Sequence, residues 1–273
     1  MRLTYDISTL EPYINWVYFY FAWQLKDEGE QRRMRGEAEL FLHQQAHSYK
    51  AHALFLLVDA HSEGEDIVID GERGMVKGEG RIPLLRQQEV GSQYLCLADF
   101  LSSHHPSPIT HHQKLGIFAT SVDAGMETDF DYDPYQKMMA QLLADRLAEA
   151  AAERLHEEVR KHYWGYAKEE QLSIREMQQE HFQGIRPAVG YPSLPDASLN
   201  FLLDELLDMQ QIGIRLTESG AMRPHASVSG LMFSHPSARY FSVGKIGEDQ
   251  LEDYARRRRM PVETIRKFLS ANL

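Results

Sequence analysis

The stretch LLADRLAEAAAERLHEEV, residues 142–159, sets the fold class of this 273-residue chain. Apolar residues recur in it at helical spacing, with no Gly or Pro between them, at Leu143, Leu147, Ala151, Leu155 and Val159. The positions between them are mostly charged. The pattern predicts one long helix from about Tyr135 to Tyr163, which must bury its apolar stripe against a second layer of structure.

Strand-like and helix-like segments surround this helix without a strict βαβ alternation. Further helices are predicted at 27–52 and 198–213, after a capping box formed by Ser173 and Glu176, and at the C-terminus, where Pro261 is well placed to begin the last one. Branched apolar residues predict strands at 52–60, 66–71, 94–101, 115–122, 227–235 and 239–246, the last two paired as a hairpin. The mixture predicts an α+β fold around a largely antiparallel sheet.

Charge and composition exclude several classes of protein. A net charge of -11 and a pI near 5.6 argue against nucleic-acid binding, which needs a basic face. The run Arg256 to Arg259 is interpreted as a solvated helix end. Cys96 is the single cysteine, which excludes disulfides and cysteine-rich zinc sites and fits a cytoplasmic protein. The most apolar run, residues 16–23, is too short to span a membrane.

Two groups of side chains are candidates for ligand or metal binding. Four carboxylates follow one another at i+4 on the long helix, at Asp145, Glu149, Glu153 and Glu157. We interpret most of them as a solvated face with salt bridges, although one could meet a cationic ligand. Four histidines, at His104, His105, His111 and His112, could bind a metal, but no carboxylate or cysteine completes a known spacing.

The loop GIRPAVGYPSLPD, residues 184–196, fixes one arginine between prolines and glycines. Arg186 carries a planar fork that suits a carboxylate, and the prolines restrict the loop before a ligand arrives. Gly184 and Gly190 allow a close backbone approach. The alternative is an ordinary proline-rich connection between two helices, and the residues alone do not separate the two.

Several long blocks resemble the activation domain of cobalamin-dependent methionine synthase. They are ADRLAEAAAERLHEEVRKHYWGYA (144–167), GIRPAVGYP (184–192), IGIRLTESGAM (212–222), ASVSGLMFSHPSARYF (226–241) and DQLEDYARR (249–257). The resemblance is dense over 140–273 and sparse over 11–139. It implies a single C-shaped α+β domain over residues 1–273, with a twisted antiparallel sheet flanked by helices.

The resemblance also implies a function. The family's domain binds S-adenosylmethionine (AdoMet) and docks over the cobalamin of a partner, which is a corrinoid protein or the cobalamin domain of methionine synthase. Flavodoxin or a similar reductase supplies an electron, and AdoMet then methylates the reduced cobalt. This chain would be one component of that methyltransferase system and not catalytic alone. Because the domain begins directly after Met1, we expect a free-standing protein that acts in trans.

The resemblance further assigns the AdoMet contacts. Arg186 would pair with the methionine carboxylate and Glu149 with the ammonium group. Backbone groups of Ala188 and Gly190 would hold the adenine end. Tyr191 would lie near the corrin, and the remaining contacts would come from Tyr240 and Asn15.

Three stretches depart from the family pattern. Asn15 stands where the family has an aspartate, so the loss of a negative charge predicts weaker AdoMet binding. Residues 197–200 and 220–225 are also rewritten, on a face that could approach the corrin. A degenerate relative that binds a corrinoid protein without methyl transfer is therefore the alternative function. An independent AdoMet methyltransferase ranks last, because no catalytic base is placed.

Overall fold

The computed structural model describes residues 1–70, 80–88, 93–101 and 113–273. The candidate metal site at His104, His105, His111 and His112 lies outside these residues.

Eight strands and nine α-helices make up the described residues. The strands are β1 Arg2–Asp6, β2 Lys50–Glu63, β3 Asp66–Ile69, β4 Arg81–Pro83, β5 Gln113–Val122, β6 Arg215–Leu216, β7 Met222–Arg223 and β8 Ser227–Met232. The helices are α1 Ile7–Leu10, α2 Trp16–Ala22, α3 Glu28–Gln45, α4 Gly125–Thr128, α5 Pro134–Glu158, α6 Ile174–Gln178, α7 Leu199–Leu207, α8 Glu248–Arg258 and α9 Val262–Phe268.

One antiparallel sheet of six strands organises the fold. Its order is β4-β3-β2-β5-β8, and β1 pairs with the first part of β2 on the edge that β3 occupies further along. With its fourteen residues, β2 is long enough to pair with both β1 and β3 along one edge. On the opposite edge, β5 pairs with β2 from Ala51 to Ala60. The predicted α+β class and its antiparallel sheet are confirmed.

The long helix α5 covers one face of this sheet, and α7 lies on the other. Along β5, Phe118 belongs to the core under α5, while its neighbours Ile117 and Ala119 belong to the core under α7. The hydroxyl of Thr120 donates to the Ala148 carbonyl of α5 at 3.0 Å, which ties helix and strand together. The predicted helix is confirmed, since all five residues of its apolar stripe are buried.

The free edge of β8 is covered by the proline-rich loop. Ile185 and Phe233 exchange two backbone hydrogen bonds of 3.0 and 2.9 Å, and Leu231 donates to the Pro187 carbonyl at 3.0 Å. With β5 on its other edge, β8 has no edge left for the predicted hairpin partner at 239–246. That prediction was wrong, because the segment 239–246 contains no strand. Its Val243 N–H instead donates a hydrogen bond to the Pro192 carbonyl.

The predicted strand at 94–101 is also wrong. Residues Leu97–Leu101 form a 3-10 helix. The Asp99 carboxylate accepts the Cys96 N–H at 2.9 Å and both Nη groups of Arg86 at 2.7 and 2.8 Å. These side-chain hydrogen bonds fold the backbone into a turn and compete with a strand ladder.

The arginine run at the end of α8 is more buried than expected. Arg256 is exposed, but the side chain of Arg257 is 16% exposed and that of Arg258 only 5%. Arg257 donates to Asp66 of β3 and to the Leu84 carbonyl, and Arg258 donates to Ser198. The run therefore attaches the C-terminal helix to the sheet, and the interpretation as a wholly solvated end was wrong.

The segments 197–200 and 220–225 contact each other. Gly220 has φ +73°, and a Cβ there would lie 2.6 Å from the Ala197 carbonyl oxygen. Asn200 is buried, donates to the Gly220 carbonyl at 2.8 Å and accepts from the Ser229 hydroxyl. The two segments thus form one structural unit behind β8.

The close approach of the loop to β8 requires Gly230. A Cβ at Gly230 would overlap the Pro187 carbonyl oxygen and lie 2.9 Å from the Ala188 Cα. We expect Gly230→Ala to destabilise the fold by roughly 2 kcal/mol, because backbone and not a flexible side chain must move. Thermal unfolding measures this change.

Gly36→Ala is the matched control. Gly36 lies exposed inside α3, where an added Cβ would have no atom of the described residues within 4 Å outside its own helical turn. Alanine favours a helix by up to about 1 kcal/mol over glycine, so this variant should melt at or above the wild-type temperature. Equal melting temperatures for Gly230→Ala and the wild type would contradict the assigned contact.

Candidate functional site

A groove of about 610 Å³ opens between α5, the start of α2, the end of α6 and the loop 186–193. This volume lies within the range of ligand pockets in proteins. Six of the seven predicted site residues line the groove: Asn15, Glu149, Arg186, Ala188, Tyr191 and Tyr240. Gly190 does not line it; at φ +87° it makes the turn that follows Ala188.

The ladder of carboxylates on α5 separates into individual contacts. Asp145 accepts from His225, Glu149 from the Tyr191 hydroxyl, Glu153 from Arg186, and Glu157 from Tyr13 and Lys161. Glu153 is 8% exposed. The salt bridges predicted for most of this ladder are present, but the predicted solvated face is not, since Glu153 is buried and both Glu149 and Glu153 line the groove.

Arg186 is fixed at both its main chain and its side chain. Its backbone N–H donates to the Tyr240 hydroxyl at 3.0 Å, and its Nη2 donates to Glu153 Oε2 at 2.6 Å. Its side chain is 16% exposed. Burial opposes its charge, but Glu153 and other nearby acidic groups outweigh burial, and the pKa of Arg186 is raised. The guanidinium therefore stays charged at the base of the groove.

The main chain after Arg186 has two polar groups that make no hydrogen bond within the described residues. Val189 N–H and the Pro187 carbonyl bond to β8, so the intervening Ala188 N–H points away from that strand. Within the described part of the chain, neither Ala188 N–H nor the Gly190 carbonyl makes a hydrogen bond, whereas Gly190 N–H donates to Leu194. Of these two residues, only Ala188 lines the groove.

Aromatic side chains surround the mouth of the groove. Tyr191 is 51% exposed and donates through its hydroxyl to Glu149. Burial and the Glu149 carboxylate raise the pKa of Tyr191, so the phenol remains a donor. Tyr18 of α2 is 60% exposed and packs under the Arg146 guanidinium, 5.6 Å from ring centroid to Cζ. The mouth therefore offers rings to a flat partner.

Asn15 caps a helix in addition to lining the groove. It is the N-cap of α2, and its side-chain oxygen accepts the Val17 N–H at 3.2 Å. Asp and Asn cap helices about equally well, so either side chain at position 15 would preserve this cap. Asn15 therefore caps α2 without adding a charge to the groove.

Sequence reasoning missed Glu180, which also lines the groove. It follows α6 with φ +60°, in the left-handed region that disfavours a residue with a Cβ. Burial raises the pKa of Glu180, with Arg186 acting in the opposite direction. No spacing signal marks this residue, because its proximity to Arg186 arises from the tertiary fold. Glu153, by contrast, belonged to the visible i+4 ladder.

A buried polar layer lies at the end of α5 and in the π-helical turn Val159–Tyr163 that follows it. His156 is fully buried, 3.3 Å from the Tyr166 hydroxyl at Nε2, and stacks edge-on against Phe182. Arg160, also fully buried, binds the Glu170 carboxylate at 2.6 Å.

Comparison with known proteins agrees with this geometry. Residues 6–259 match the family model described as the activation domain of vitamin B12 dependent methionine synthase. The chain belongs to this family. A solved structure described as the MetH reactivation domain bound to AdoHcy is 38% identical, covers 100% of this chain and 90% of its own, and superposes with a TM-score of 0.91. The family assignment made from the sequence is confirmed.

Metal and membrane signals are both absent from the part of this activation-domain chain that the structure describes. No group of three or more His, Cys, Asp or Glu residues in it is arranged to hold a metal ion. None of its helices combines the length and the apolar character needed to cross a bilayer.

The buried His156 makes stability depend on pH. Burial first, and then Arg160 and Arg186, lower the pKa of His156 well below 6.5. Below pH 6.5 the unfolded chain therefore binds a proton that the folded chain does not, and stability falls as the pH is lowered from about 6.5 toward the folded pKa.

We expect the His156 contribution to reach ~1.4 kcal/mol per pH unit across this window. Urea unfolding of wild type and His156→Gln between pH 5 and 8 measures it as the difference in slope. His181→Gln, an exposed histidine next to Phe182, is the control and should keep the wild-type slope. Parallel slopes for wild type and His156→Gln would contradict the assignment.

Proposed function

We propose that this chain is an AdoMet-binding reactivation module that supports reductive methylation of cob(II)alamin on a separate corrinoid protein or methionine synthase. One electron from flavodoxin or a similar reductase gives cob(I)alamin, and the AdoMet methyl group then moves to cobalt, leaving methylcobalamin and AdoHcy. The chain would contribute positioning and would not carry the reaction alone. Family membership and the bound AdoHcy named for the MetH reactivation domain support this proposal.

The groove fits the amino-acid end of AdoMet. Arg186 offers a charged fork for the carboxylate. Three carboxylates line the groove, those of Glu149, Glu153 and Glu180. Two guanidiniums also line it, those of Arg146 and Arg186, so the groove has a formal charge of -1. AdoMet carries one net positive charge at its ammonium, sulfonium and carboxylate groups taken together. The opposite net charges favour binding of the cation.

The remaining parts of the groove fit the other end of the ligand. Ala188 N–H and the Gly190 carbonyl would pair with the adenine edge, and Phe118 and Val228 supply apolar surface next to them. Tyr240 would contribute by holding the Arg186 main chain. The observation that carries the proposal is Arg186, charged and immobilised at the base of an acidic groove.

The aromatic mouth would face the corrin. Tyr191 and Tyr18 are exposed beside the groove, and Phe21 on the next turn of α2 is 82% exposed. A corrin ring placed over this mouth would bring its cobalt to the open end of the groove. Glu149, which accepts from Tyr191 in this structure, would bind the ammonium group after the phenol turns toward the corrin.

The decisive experiment mixes the protein with a cob(II)alamin-loaded methionine synthase fragment, AdoMet and reduced flavodoxin. We expect the absorption spectrum to change to that of methylcobalamin. Arg186→Ala should slow this change and lower AdoMet affinity in calorimetry at least tenfold, because a charge-assisted pair is lost.

Two results would reject parts of this proposal. Equal heats of AdoMet binding, or none, for wild type and Arg186→Ala would exclude the assigned contact. Capture of the corrinoid protein without methylcobalamin formation would instead support the alternative, a non-catalytic partner. Asn15 and the rewritten stretches 197–200 and 220–225 are the features that motivate this alternative.

Asn15→Asp tests the effect of the missing charge. We expect this variant to bind AdoMet roughly three- to tenfold more tightly, because a carboxylate attracts the sulfonium cation and an amide does not. AdoHcy, which lacks the sulfonium charge, should gain less. Calorimetry with both ligands measures the difference, and unchanged melting in the absence of ligand confirms that the α2 cap is intact. A gain that is equal for both ligands would contradict this explanation.

A further inference from the structure

Glu153 lies directly behind Arg186 and has an unusual environment. It is on the buried side of α5, and its Oε2 accepts from Arg186 Nη2 at 2.6 Å. Its other oxygen, Oε1, is buried and has no hydrogen-bond partner in the part of the chain that the structure describes. A carboxylate kept in such a place needs a reason, because a buried charge is costly when it is not well paired.

The contact leaves much of the guanidinium unused. An arginine has five N–H groups, which form two edges that can each bind a carboxylate with two hydrogen bonds; each edge includes one hydrogen of Nη2. Glu153 reaches Nη2 with a single oxygen. Among the described residues, Arg186 Nε and Nη1 donate to no group. One complete two-donor edge therefore remains for another anion.

We propose that Glu153 is a positioning residue, which holds the Arg186 guanidinium so that its free edge meets the carboxylate of the ligand's amino-acid end. The main chain of Arg186 is already fixed by Tyr240 and by the pairing of Ile185 with Phe233. Glu153 fixes the opposite end of the same side chain. This inference rests on the proposed function, because it requires a ligand with a carboxylate.

The same ion pair could instead compete with the ligand for Arg186. The geometry favours positioning, because a competing carboxylate would occupy a full edge with both oxygens. Displacing Glu153 would also leave its carboxylate buried without a counter-charge, and that cost would be taken from the binding energy. The two roles predict opposite effects of removing the charge: weaker binding if Glu153 positions Arg186, and tighter binding if it competes.

A double-mutant cycle tests the proposal in calorimetry with two ligands. The variants are Glu153→Gln, Arg186→Gln and the double substitution, which removes both charges of the pair. AdoHcy carries the amino-acid end, and 5′-methylthioadenosine lacks it. Glu158→Gln is the control, because Glu158 lies on the same helix in an ion pair with Arg154 and does not line the groove.

We expect Glu153→Gln to lower AdoHcy affinity roughly tenfold and to leave 5′-methylthioadenosine binding within about twofold. In the Arg186→Gln background, adding Glu153→Gln should cause no further loss, since Glu153 acts only through Arg186. Glu158→Gln should bind both ligands like the wild type. If Glu153→Gln does not fold, as judged by circular dichroism and melting, Glu153→Asp should show the same selective loss.

Each contrary result has a distinct meaning. Unchanged or tighter AdoHcy binding by Glu153→Gln overturns the positioning role while leaving the proposed function intact. Equal losses for both ligands, or additive losses in the double variant, show a general structural effect and also overturn it. A wild-type protein that binds neither AdoHcy nor AdoMet overturns the proposed function, and the role of Glu153 with it.

Discussion

The groove depends on the backbone pairing of residues 185–189 with the free edge of β8. A strand edge offers unsatisfied N–H and carbonyl groups, and here a proline-rich loop from the same chain satisfies them. Gly230 permits the approach, since any side chain at that position would overlap the loop. The pairing fixes the main chain next to Arg186 against β8, and the Glu153 contact holds its side chain.

The electrostatics of the groove follow from the position of α5. The i+4 repeat that places like charges in a row also directs them to partners in three different segments of the chain. Repulsion along the helix is thus offset by partners from the N-terminal segment, the loop and the C-terminal part of the chain. Two of the four carboxylates face the groove, and together with Glu180 they outnumber its two guanidiniums, which gives the groove a formal charge of -1.

The layers of the fold were more predictable from the sequence than the connections. The apolar stripe of α5 and the β2, β5 and β8 strands were correctly predicted, because hydrophobic period alone fixes them. The strand at 94–101 was wrong because Asp99 bonds locally to Cys96 and Arg86. The hairpin at 239–246 was wrong because a loop some fifty residues earlier occupies the edge, and no local pattern reveals such a competitor.

The site was predictable to a similar degree. The family resemblance located Arg186, Ala188, Tyr191 and Asn15 on the groove, since a shared motif carries the tertiary contacts with it. The family resemblance did not identify Glu153 and Glu180 as groove residues. Glu153 looked like any other charge on a solvated helix, and Glu180 lies on a turn whose distance to Arg186 depends on the packing of α6.

The unit formed by Ala197, Asn200 and Gly220 has a consequence for exchanging parts between relatives. Because the glycine fits only against that stretch of backbone and the amide reaches across to it, each segment is complementary to the other. If only one of the two segments were replaced by that of a relative, a side chain at position 220 would clash with the backbone, or the buried Asn200 amide would lose its hydrogen-bond partner. The two segments therefore have to be exchanged together.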